Sequence, residues 1–233
     1  MKKIYYITAV FATLFLVGCG DGIDLPGVNV ETDLNKIPLP DNNVNLEQVE
    51  LKPSTEPMLH EGLHTEEDFQ RIRDKKAAGE EPWVSAYQLL VESQFSQKTA
   101  DTYPTEWIKR GISGDENYMN AARGATIVYQ QALRWKIEQD DEYAAKAVEN
   151  LNKWVQTCVG VTGNTNLSLA AGLYGYEFAI AGELLRDYGG WDRADFAAFQ
   201  NWLLKVFYPA NDDFLKRHHD TNALHYWANW CLC

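Results

Sequence analysis

The side chains best suited to chemistry stand close together in "HHDTNALHYWANWCLC", residues 218–233. Asn222, His225, Tyr226 and Asn229 recur at steps of three and four, so a helix here sets them on one narrow face. His218 extends that stripe if the helix runs back far enough, although Asp220 and Thr221 read as a cap. Ala223, Leu224, Trp227 and Ala228 fall on the other side. A helical face turned to water normally carries Lys and Glu. This one carries amide, imidazole and phenol groups, which cost free energy when buried without partners. Two destinations remain open: a semi-enclosed cleft for a polar ligand, and a set of satisfied core hydrogen bonds. The absence of Lys and Glu favours the cleft.

Amide, imidazole and phenol without a carboxylate pair suit β-elimination of a uronic-acid polymer. That reaction removes the proton at C5, so the neighbouring carboxylate must be neutralised as negative charge develops. Asn, His and Arg can neutralise it, and Tyr or His can act as base and as acid to the leaving oxygen. Trp230 flanks the polar face and offers a flat surface to a sugar ring; the other tryptophans read as core.

The elements that must position these groups are helical. The chain has 233 residues, a net charge of -12 and 45% apolar residues, enough for one domain with a sizeable core. The acidic total argues against nucleic acid, which needs a dense Lys/Arg surface, but leaves room for a locally cationic cleft. "HTEEDF" fits a capping box with Asp68 in place of Glu, opening a helix from Thr65 to about Ala78. Pro82 suits the first position of the next helix. Further helices are expected from about Asp115, over 140–158, over 168–188, and after Gly189-Gly190 up to Pro209, with a short turn or helix at "DDFLKRHH". The 168–188 segment is apolar nearly all round and should be buried on most sides. Strands should be few. Helices of about 15–25 residues with short loops mean antiparallel hairpins, so the expected fold is all-α, built as part of an (α/α) toroid.

The N-terminal segment reads as an address. Two lysines precede an apolar run over 4–17, too short to span a membrane stably, and Leu16-Val17-Gly18-Cys19 resembles a bacterial lipobox. The resemblance implies a signal peptide over 1–18 and lipidation at Cys19, hence a membrane contact through a lipid anchor on the outer membrane, facing periplasm or cell surface. Residues 19–58, rich in Asp, Asn and Pro, read as a flexible tether, and 59–233 as the domain. Cys158, Cys231 and Cys233 are odd in number and lack CxxC spacing, which supplies neither a disulfide framework nor a zinc site. "HEGLH" over 60–64 matches H-E-x-x-H, but that chemistry needs both histidines on one helical face. Pro57, Gly62 and the Thr65 cap place it before the helix instead, where His60 and His64 can at most approach the cleft.

"HEGLHTEEDFQRIRDKKAAGEEPW", "SLAAGLYGYEFAIAGELLRDYGGW", "VFYPANDDFL" and "HYWANW" together resemble the alginate-lyase-like polysaccharide lyases with an (α/α) toroid fold, nearest to polysaccharide lyase family 38. The resemblance runs from about Leu59 to the last residue. It implies β-elimination of alginate or glucuronan, an anionic polysaccharide substrate, and neither metal nor other cofactor. Carried over by position, Asn222 and His225 neutralise charge with Tyr226 beside them as the catalytic set. His218, Asn229 and Trp230 line the substrate, with Tyr174 and Tyr176 as further contacts for which core packing stays open. The family motif reads on with Asp where this chain has Cys231, which would remove a hydrogen bond. By the arithmetic of helical repeats, about 35–45 residues per hairpin, the domain holds about four hairpins. A closed toroid needs more, so the expectation is a partial toroid with weak or no activity alone. The sequence leaves the oligomeric state open. A non-catalytic glycan-binding lipoprotein of the outer membrane is the alternative. A two-carboxylate hydrolase drawing on Glu177, Glu183 or Asp187 ranks third, for want of an opposed partner.

Overall fold

The computed structural model describes residues 63–217, residue 165 excepted. In chain order they form α1 (Glu66–Ala77), α2 (Trp83–Glu92), a 3-10 turn (Gln94–Ser96), β1 (Trp107–Arg110), α3 (Tyr118–Glu138), α4 (Asp141–Thr157), β2 (Gly160–Gly163), α5 (Asn166–Leu184), α6 (Arg193–Val206) and α7 (Tyr208–Arg217). The fold class is all-α, as expected. Among the described residues no helix is long and apolar enough to cross a membrane.

Local signals hold where the chemistry is local. Thr65 and Asp68 form the capping box reciprocally, side chain to backbone in both directions. Asp140 and Asp192 cap α4 and α6 in one direction only, each side chain accepting from the amide two residues on. Other expectations need correction. Pro82 sits one residue before α2 rather than in its first position. The helix expected from Asp115 starts at Tyr118, because Asn117 is committed elsewhere: its Oδ1 accepts from the Lys109 amide at 2.7 Å and its Nδ2 donates to Trp107 O at 2.9 Å. α6 ends at Val206, short of Pro209, but a further helix starts at once. Pro209 lies in the first turn of α7, where a missing N–H costs nothing. α1 runs as expected, α2 is shorter than expected, α7 begins earlier than the short turn or helix expected at Asp212, and the connection from the 3-10 turn to α3 is long rather than short.

That long connection is held by buried polar groups. Gln131 donates to Gln97 O at 2.9 Å and Ala100 O at 3.1 Å. Asn150 donates to Ala100 O at 3.0 Å and to Gln131 Oε1 at 3.1 Å. Trp154 Nε1 donates to Thr102 Oγ1 at 2.5 Å. Side chains from α3 and α4 thus satisfy backbone carbonyls that helices cannot, which is the requirement for burying a loop.

α3 packs on both α4 and α5, and α5 in turn meets α7 and β2. The core is aromatic: the Phe178 ring meets Trp154 at 5.4 Å, Trp202 at 5.2 Å edge-on and Phe207 at 6.1 Å. α5 can approach this cluster because it carries Gly175 and Gly182; a Cβ at either would fall within 3 Å of Phe207 or Phe199. This is why α5 lacks a polar face: it is covered on most sides, as its composition predicts.

β1 and β2 pair in parallel, with Trp107 opposite Gly160 and Arg110 opposite Gly163. Four-residue strands without alternation carry no pattern to read, so the pairing was invisible until the chain folded. Gly163 has φ 147° and its Cβ position lies 1.7 Å from Arg110 O, a backbone atom that cannot step aside. Gly163→Ala is therefore expected to lower stability by about 2 kcal/mol. Chemical denaturation checks this, and an unchanged midpoint would contradict the close approach.

Candidate functional site

A groove of about 410 Å³ runs between α3 and α5. From α3 come Ala122, Thr126 and Tyr129, three and four residues apart, so they share one face. From α5 come Leu173, Tyr174, Tyr176, Glu177 and Ile180. Ala122 and Thr126 are small, which opens the space; Tyr129 and the α5 tyrosines bound it.

Tyr174 is buried, yet its hydroxyl accepts a hydrogen bond from Arg110 Nη1 at 3.1 Å. Its ring stacks nearly parallel to Tyr118 at 6.4 Å, and the Arg110 guanidinium lies 4.6 Å over the Tyr118 ring. Arg110 is the last residue of β1, so the β1–β2 pairing and Gly163 place this cation at the groove wall. Among the described residues it has no carboxylate partner. Burial raises the Tyr174 phenol above its ordinary value and Arg110 opposes the shift, so Tyr174 keeps its proton at neutral pH.

On the other wall His64 Nε2 and the Tyr129 hydroxyl stand 2.6 Å apart. Burial lowers the imidazole, with Asp68 pulling the other way. Burial raises the Tyr129 phenol to about 12, with Tyr176 and Glu177 adding to it. Both groups are therefore neutral near pH 7: a phenol that holds its proton beside an imidazole free to accept one. Glu177, between the walls, is pushed up to about 7 by burial, against a hydrogen bond from Thr126. The groove can present a protonated carboxyl, three phenols and an adjacent arginine, a set suited to a ligand bearing carboxylates and hydroxyls.

Of the predicted site residues, Tyr174 and Tyr176 both line the groove, and Tyr174 does so while packed against Tyr118. Asn222, His225, Tyr226, His218, Asn229, Trp230, Cys19 and His60 lie outside the described residues. Within "HEGLH", His64 precedes α1 and is on no helix, as the Thr65 cap requires. Sequence reasoning did not reach Tyr129, Arg110 and Tyr118. The first could have been found from the 122, 126, 129 spacing on a small-residue face; the other two depend on a strand pairing. Glu177 was flagged only as a hydrolase carboxylate. The groove holds no second carboxylate among its described lining residues, Glu183 pairs with Arg186, and Asp187 is exposed.

The alginate lyase family model matches residues 72–233. The chain belongs to the alginate lyase family. The matched span holds the Arg110–Tyr174 wall, Glu177 and Tyr129 as well as Asn222, His225 and Tyr226, while His64 precedes it. No curated protein and no solved structure matches the chain. Membership of the alginate lyase family supports a polysaccharide lyase rather than a two-carboxylate hydrolase, consistent with Glu177 being the one carboxyl among the described lining residues of the groove.

Proposed function

We propose that this chain cleaves a uronic-acid polymer, alginate or glucuronan, by β-elimination without a metal. The observation that carries the reading is the family match over 72–233, which spans both the groove and the Asn222, His225, Tyr226 set. Asn222 and His225 neutralise the substrate carboxylate. On this reading Tyr226 exchanges a proton with the reacting sugar. The C5 proton passes to the base, its electron pair forms the C4–C5 double bond, and the C4–O bond breaks. The leaving oxygen then takes a proton from the acid. In the groove, Tyr174 with Arg110 behind it and Tyr176 supply hydrogen bonds to neighbouring sugars, joined by Glu177 below about pH 7, where its carboxyl is protonated.

Polysaccharide lyase family 38 is the nearest group on this reading, the helical hairpins form part of an (α/α) toroid, and Cys19 anchors the protein to the outer membrane through lipid. The test is an absorbance assay for the unsaturated product with the purified full chain on alginate and on glucuronan, with and without a chelator. Product should form on at least one polymer, and chelation should leave the rate unchanged. Loss of rate on chelation would remove the metal-free mechanism. Saturable oligosaccharide binding with no product from either polymer would replace the lyase by a glycan-binding lipoprotein.

A further inference from the structure

A second concavity, of about 220 Å³, opens on a different face of α3. Asn120, Arg123 and Ile127 line it, whereas Ala122, Thr126 and Tyr129 line the groove. At 100° per residue those two sets are centred about 125° apart around the helix, so the two concavities open on different faces of α3. The cleft's other wall comes from the 3-10 turn, with Gln94 and Phe95, and from the long connection after it, with Asp101 and Tyr103.

Three features converge there. Arg123 is exposed and has neither an ion pair nor a hydrogen bond among the described residues. Tyr103 leaves 75% of its surface exposed at the cleft, an aromatic face held in water by a loop that is otherwise tied down. Asp101, the one carboxylate of the lining, is neutralised by Lys146 at 3.0 Å and Lys153 at 2.7 Å. Glu149 balances the second of those lysines at 2.7 Å. The local sum of these groups leaves the Arg123 charge over. A lone exposed tyrosine needs no explanation; an aromatic face, an unpaired guanidinium and two amides in one concavity match the parts of a sugar acid: ring face, carboxylate, hydroxyls.

We propose that this cleft is a second uronate subsite, in which Arg123 pairs with the carboxylate and Tyr103 carries the sugar ring. The proposal rests on the polyuronate reading above and adds where a longer chain is held. Tyr103 and Arg110 belong to one segment seven residues apart, so cleft and groove wall are separated by at most about 25 Å of extended backbone. A single oligosaccharide can reach both, and affinity should grow with oligomer length.

The experiment uses the full chain with uronate oligomers of defined lengths, reading calorimetric affinity and product formation. Arg123→Gln and Tyr103→Ala should each weaken binding of the long oligomers about tenfold, flatten its salt dependence for the arginine variant, and leave kcat and the shortest cleaved oligomer unaffected. Unchanged melting temperatures confirm that both surface variants fold. Wild-type affinity of both variants for long oligomers, with cleavage intact, overturns the subsite and leaves the lyase reading standing. Equal losses for short and long oligomers also overturn it, since the residues would then act at the reacting centre. Failure of the wild-type chain to bind or cleave any uronate oligomer removes the polyuronate reading and the subsite with it.

Discussion

Replacing His225 by Ala is expected to lower kcat/KM on the preferred polyuronate by about 10²- to 10³-fold, and Asn222→Ala by a similar factor. A spacing of three would set both on one face of a helix, and both side chains can donate a hydrogen bond to a carboxylate. C5 is a poor carbon acid while its carboxylate stays anionic, because the charge left by the departing proton must spread onto that group. Donors aimed at the carboxylate therefore strengthen in the transition state more than in the ground state, and their removal lowers kcat rather than raising KM alone. The double variant should lose less than the product of the two factors, since the pair acts on one carboxylate. Initial rates from product absorbance, with oligomer affinity measured beside them, check this. A His225→Ala variant with the wild-type rate would show that the terminal stretch serves packing rather than chemistry.

Glu177→Gln is expected to stabilise the fold above pH 7 and to do little near pH 4. The folded-state value is raised from the ordinary 4.5 to about 7. A carboxyl raised on folding contributes fully below the unfolded value, and that contribution is lost as pH rises through the folded one. The loss falls between about pH 4.5 and pH 7, and is on the order of 3 kcal/mol once both states are ionised. Gln has the same shape and no charge, so its stability should not fall across that window. The functional counterpart has the same sign. Above pH 7 an ionised Glu177 would repel an incoming uronate, raising KM, and the Gln variant should flatten that rise. Denaturation midpoints and KM measured from pH 4 to pH 9 decide it. Parallel curves for the two proteins would mean the carboxyl is not held in an apolar setting.

How much of this was legible before folding follows from range. The Thr65–Asp68 box was readable because donor and acceptor are three residues apart. The burial of α5 was readable because a helix without a polar face has nowhere to turn but inward. Tyr174 and Tyr176 were singled out on that helix, and both reach the groove. His64 was correctly kept off a helix, yet its partner Tyr129 lies 65 residues away and nothing local names it. α6 stops short of Pro209 as its sequence suggests, but nothing local showed that Pro209 also lies in the first turn of the next helix.

The sequence by itself determined the class of the protein: an all-helical chain whose quoted segments resemble the alginate lyases, a membership that a match over 72–233 establishes. Composition, helix caps and side-chain types suffice for that, because each acts over a turn or two of chain. Tertiary structure alone decided that Arg110 stands behind Tyr174, that His64 meets Tyr129, and that Glu177 sits where its proton is held to about neutral pH. Each of these comes from bringing distant segments together and excluding water, and desolvation has no signature in the order of residues.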